Sequence, residues 1–163
     1  MIAVLAGLLV FSPPGWAEAG RLQWPLQPAP HGPTVTRGFD APTPNWQRGH
    51  RGVDLAGVPG QPVYAAAPGT VVYAGVLAGR PVISIEHDGG LRTSYEPVQA
   101  TVRAGRRVGA GTGIGLLLEG HPGCPTSACL HWGAYWGAAQ QARYVDPVGL
   151  LASTPVRLKP LTG

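Results

Sequence analysis

A chain of 163 residues is long enough for one domain with a real hydrophobic core and too short for two ordinary ones. It carries 25 Gly and 18 Pro, eleven Arg against a single Lys, and a formal charge of +4; with 44% hydrophobic residues and no collagen period, that composition argues against disorder and for a turn-rich all-β domain. No run of adjacent basic residues exceeds Arg106-Arg107, so the excess charge implies at most a mild attraction to an anionic polymer and points to no nucleic-acid partner.

Ile2–Phe11 is an apolar run of ten residues, followed by the breaker Ser12-Pro13-Pro14-Gly15 and by Ala17-Glu18-Ala19. This order reads as a signal peptide over residues 1–19, cut after Ala19, and implies a secreted, extracellular mature domain. Ten residues fall short of the roughly 20 that span a bilayer, so no stable membrane insertion is expected after cleavage. Residues 20–47 form a Pro-rich lead-in without sustained period, expected to drape over the core. From residue 53 the pattern becomes β. Val63 to Ala66 leads through Pro68-Gly69 into a strand over Thr70–Val76, and Pro81–His87 alternates apolar and polar side chains as a half-buried strand does. Asp88-Gly89-Gly90 marks a hairpin into Leu91–Tyr95, and Pro97 then interrupts pairing.

Short strands are expected around Thr101-Val102 and Arg107-Val108, then at Ile114–Leu118 and Cys129–Trp136. A short helix fits Ala138–Tyr144, and residues 153–163 read as an irregular tail. Strands at this spacing, joined by Gly-rich turns, describe an antiparallel β-sandwich or irregular barrel over residues 48–152, in a single domain read as a monomer. Cys124 and Cys129 are five apart; in an exported protein such a pair reads as a disulfide rather than half of a zinc knuckle.

The residues that carry chemistry are His50 and Asp54, four apart in Arg48-Gly49-His50-Arg51-Gly52-Val53-Asp54-Leu55, and His131 about eighty residues later in Leu130-His131-Trp132-Gly133. Two imidazoles and a carboxylate are the donor set of a catalytic zinc site, which leaves its fourth position open. Four extended residues span roughly 13 Å, too far for two ligands of one ion, so the chain must bend between His50 and Asp54, and Gly52 offers the freedom to do so.

Taken in order, His50-x-x-x-Asp54, Gly60-Gln61-Pro62-Val63-Tyr64-Ala65-Ala66-Ala67-Pro68-Gly69-Thr70-Val71, Val102-Arg103-Ala104-Gly105-Arg106-Arg107-Val108 and Leu130-His131-Trp132 resemble the lysostaphin/LytM-type zinc endopeptidases of bacterial peptidoglycan. The resemblance covers residues 45–136. It implies a duplicated-hybrid-motif fold, Zn2+ held by His50, Asp54 and His131, and a cell-wall location with peptidoglycan peptide as partner.

Two positions depart from the family pattern. Members carry a histidine two residues before the last ligand, where this chain has Cys129, and another just after the hairpin-strand Tyr, where this chain has Glu96 after Tyr95. Each such group contributes about 10²–10³-fold to the rate, so two substitutes are sought. Glu96 could serve as general base or be a solvated turn residue, and His121, in Gly120-His121-Pro122-Gly123, could replace a missing histidine or be an exposed loop residue. Cys129 shares a face with His131 by strand parity, but pairing with Cys124 would remove its thiolate. Surface positions are expected for His87 and His31, and a core position for Trp132; Trp46 and Trp136 fit the core or a groove. The reading is a metalloendopeptidase; its rival is a catalytically silent relative that binds cell-wall peptide or regulates another hydrolase.

Overall fold

The computed structural model describes residues 22–27, 32–44, 47–137 and 141–151. The expected signal peptide, His31, Trp46 and the tail lie outside them. The strands are β1 (Val35–Arg37), β2 (Val53–Gly57), β3 (Pro62–Tyr64), β4 (Gly69–Leu77), β5 (Arg80–His87), β6 (Leu91–Glu96), β7 (Val98–Ala100), β8 (Arg107–Val108), β9 (Gly113–Leu117), β10 (Ala128–Trp136) and β11 (Arg143–Val145). A large sheet runs β1-β2-β10-β6-β5-β4-β8, with β11 paired to the last residues of β10, and a small sheet runs β3-β9-β7. All named strand pairs are antiparallel, so the all-β fold expected from strand spacing is the one that forms.

The alternation of each strand explains the two faces of the large sheet. Leu130 and Trp132 on β10, Tyr95 on β6, and Ile83 and Ile85 on β5 are fully buried and meet Val63, Val98, Ile114 and Leu117 of the small sheet. Each such side chain contributes about 1.5–3 kcal/mol on leaving water, and together they clamp the strands that carry the opposite face. Pro97, which cannot donate a ladder hydrogen bond, stands between β6 and β7; there the chain passes from the large sheet to the small one. The hairpin at Asp88–Gly90 is a short 3-10 turn with Gly89 and Gly90 at φ +76° and +78°, a conformation that favours glycine.

Three expectations are corrected. The lead-in does more than drape: Leu22 and Leu26 are core residues, Trp24 packs 6.0 Å from Trp132, and Val35–Arg37 joins the large sheet through β2. Its prolines hid these contacts from any periodic signal. Arg143 and Tyr144, expected at the end of a helix over Ala138–Tyr144, lie instead in β11, whose pairing with β10 sets the Tyr144 ring 5.3 Å from that of Tyr135. The strand expected at Thr101-Val102 lies earlier, at Val98–Ala100, directly after the proline.

Candidate metal centre

On its outer face the large sheet carries one row of side chains in register: Arg37 on β1 opposite Asp54 on β2, Asp54 opposite His131 on β10, and His131 opposite Glu96 on β6. His50 reaches this row from the turn before β2, where its backbone N–H and carbonyl both bond to Asp40, at 2.6 and 2.8 Å. The turn at residues 47–52 makes the bend that the spacing required. Gly52, however, does not adopt the left-handed conformation that favours glycine. A Cβ there would stand 2.5 Å from the Trp132 carbonyl oxygen and 2.9 Å from His131 Nε2, so glycine is needed for close approach to β10 rather than for backbone freedom.

Three donor atoms converge. His50 Nε2 lies 3.0 Å from Asp54 Oδ1 and 3.0 Å from His131 Nδ1, and His131 Nδ1 lies 2.9 Å from Asp54 Oδ1. The donors of a tetrahedral ion with bonds of about 2.0–2.1 Å stand roughly 3.3 Å apart, close to these separations. The tautomer of His50 follows from its other nitrogen. A carbonyl can only accept, so at 2.6 Å from Gly38 O it is Nδ1 that carries the hydrogen, and in the neutral ring Nε2 presents a lone pair. That lone pair faces a carboxylate oxygen in a nearly dry setting, an arrangement that a cation between them relieves. The donor set, its convergence and the fixing of His50 by Gly38 fit zinc.

His121 joins the cluster from the loop after β9. Its Nε2 lies 3.2 Å from Asp54 Oδ1, its ring stacks 5.7 Å from that of His131, and its side chain is 9% exposed. Its Nδ1 is buried with no partner among the described residues. The loop is fastened at its far end by a disulfide between Cys124 and Cys129, which ends the thiolate reading of Cys129. Burial alone would raise the carboxyl pKa of Asp54; the hydrogen bonds it accepts from the His121 and His131 imidazoles outweigh burial and hold the group well below the usual carboxylate range.

Glu96 borders the same open cleft, of about 450 Å³, but its carboxylate accepts from Arg80 Nη1 at 2.9 Å. It is a buried ion-pair member, not a solvated turn residue. His87 is the clearest correction. It shares the inward parity of Ile83 and Ile85, is 6% exposed, and bonds through Nδ1 to Pro68 O at 2.8 Å and through Nε2 to Thr93 Oγ1 at 2.7 Å. Burial pushes its imidazole below the ordinary value, against the opposing pull of the Pro68 bond and the Asp88 charge. Trp132 is fully buried as expected, and Trp136 is half-buried against the core with Arg143 over its ring. Sequence reading missed Gly38, whose backbone carbonyl leaves no mark in residue type, and the Arg80 partner of Glu96.

With this geometry in view, comparison with known proteins is decisive about kinship. The family model described as peptidase family M23 matches residues 48–147. The chain belongs to peptidase family M23. Uncharacterised proteins of Mycobacterium tuberculosis and Mycobacterium bovis are 62% identical to this M23 chain over 161 residues, 99% of it. The chain spans 64% of the length of those curated relatives. Among solved structures, lysostaphin of Staphylococcus simulans superposes with TM-score 0.62 at 28% identity, covering 80% of this chain and 57% of that one. A zinc-containing peptidase of Vibrio cholerae gives TM-score 0.57 at 25% identity, covering 83% and 41%. The M23 family is one of metallopeptidases, and this chain has its fold.

Proposed function

We propose that this M23 domain is an exported zinc endopeptidase that hydrolyses peptide bonds in bacterial peptidoglycan. The observation that carries the reading is the convergence of His50 Nε2, Asp54 Oδ1 and His131 Nδ1 within 3.0 Å of one another beside an open cleft. The Vibrio cholerae neighbour is a zinc-containing peptidase and lysostaphin an antimicrobial peptidase, which supports the metal and the peptidase activity. The apolar leader and the disulfide support export.

Zinc bound there would supply a Lewis acid and lower the pKa of water toward neutrality. The protein's own part is to hold its donors still and to handle protons. Gly38 orients His50, and strand pairing on both sides of His131 fixes its ring between Asp54 and Glu96. His121 is the imidazole placed to move a proton, since it alone among the two substitutes touches the triad. Glu96, engaged by Arg80, shapes the cleft wall.

The silent-relative reading draws on one observation: both family histidine positions are committed elsewhere, Cys129 to a disulfide and Glu96 to an ion pair. Digestion of purified cell walls separates the two. His121→Ala should lower peptide release by about 10²-fold with zinc retained, and Glu96→Gln by much less. Full activity in His121→Ala would remove that residue from the mechanism, and a zinc-loaded but inert wild type would establish the silent relative.

A further inference from the structure

The walls of the cleft are unevenly charged. Arg37, Arg51 and Arg80 line it, whereas among the described residues its one lining carboxylate is Glu96, already taken up by Arg80, and Asp54 lies beneath among the converging donors. Arg51 Nη2 donates to Gln47 O at 2.7 Å, and its guanidinium lies 5.8 Å over the Tyr144 ring. Both contacts orient the guanidinium plane and neither cancels its charge. Arg37 is exposed and stands opposite Asp54 in register, next to the triad. Among the described residues no ion pair involves Arg37 or Arg51. Three guanidiniums thus face two carboxylates, and a divalent ion would add two more positive charges.

A neutral peptide settling into such a cleft would strip water from Arg37 and Arg51 and offer them only uncharged carbonyl acceptors in return. A carboxylate would be met by planar, fork-shaped donors whose geometry suits it, in a charge-assisted hydrogen bond. We propose that Arg37 and Arg51 select a substrate peptide bearing a free carboxylate beside the scissile bond, in preference to an uncharged bridge peptide. The selection rests on the peptidase reading above and names the substrate class within it. Arg37 and Arg51 act as specificity residues; Arg80, bound to Glu96, does not share the role.

The test uses the zinc-loaded full chain and soluble peptidoglycan stem peptides in two forms, one with free carboxylates and one with the same groups converted to carboxamides. Binding is followed by calorimetry and cleavage by the appearance of new amino termini. The acid form should bind at least about 10-fold tighter, a margin that shrinks as salt rises from roughly 0.05 to roughly 0.5 M. Arg37→Gln and Arg51→Gln should each reduce the margin, and the double variant should abolish it through weaker binding of the acid form, with zinc retained. Equal treatment of both forms by the wild type, or a preference that survives the double variant, would overturn the selection while leaving the peptidase reading intact. Failure to bind or cleave either form would overturn both.

Discussion

Gly52→Ala tests whether close approach of the β2 entry to β10 sets the metal geometry. The added methyl would meet the Trp132 carbonyl oxygen at 2.5 Å, the Trp132 carbonyl carbon at 2.9 Å and His131 Nε2 at 2.9 Å. Comfortable contact begins near 3.4 Å, so something must move by close to 1 Å. β10 is held by β2 on one side and β6 on the other, so its backbone cannot give freely. The entry to β2 must retreat instead, carrying Asp54 two residues on. Overpacking of this kind costs about 1–3 kcal/mol, which in a domain of this size lowers Tm by about 3–10 °C. Displacing a ligand by more than about 0.2 Å departs from acceptable metal geometry, and changes of this type cost about 10–100-fold in metal affinity. Thermal unfolding of the metal-free protein and zinc competition against a chromophoric chelator read the two effects separately. Gly133→Ala is the control, because its nearest neighbour is the Ser94 hydroxyl at 2.6 Å, which can rotate away, and backbone comes no nearer than Arg51 O at 3.2 Å. Its losses should be less than half as large. Wild-type Tm and zinc affinity in Gly52→Ala, or a worse outcome for Gly133→Ala, would show that close approach to β10 does not set the metal geometry.

Cys124→Ser with Cys129→Ser should lower stability by about 2 kcal/mol, the low end for a disulfide because the loop is short, and should loosen the segment bearing His121; chemical denaturation and amide exchange over residues 118–127 measure both. His87 is buried with its pKa below 6.5, so the unfolded chain binds its proton more readily: its contribution is fully present above pH 6.5 and is lost as pH falls below it. Metal-free wild type should therefore lose more Tm between pH 8 and pH 5 than His87→Gln does, and parallel curves would contradict this. Trp132→Ala, which empties a fully buried site beneath the metal row, should cost about 3–5 kcal/mol in denaturant titration.

The strand pattern was legible because alternation of apolar residues survives in β5, β6 and β10, and the clustering of His50, Asp54 and His131 because they are a donor set with few other uses. What failed to show was anything decided by long-range contact. Inward parity could have moved His87 from the surface to the core, since it continues the series Ile83, Ile85. The glycine at position 52 was legible as a requirement but not as a steric one, because the obstacle belongs to a strand about eighty residues away. The role of the lead-in, which supplies Gly38 to His50 and two leucines to the core, left no periodic trace among its prolines.

The most direct test couples metal content to chemistry. Purified protein is assayed for bound zinc and for release of new amino termini from peptidoglycan, before chelation, after chelation and after zinc is restored. One zinc per chain is expected, with activity lost with the metal and regained with it, and neither property in His131→Ala. Undiminished cleavage by the metal-free protein would contradict the zinc-endopeptidase reading, and so would a fully zinc-loaded chain inert on several peptidoglycan types.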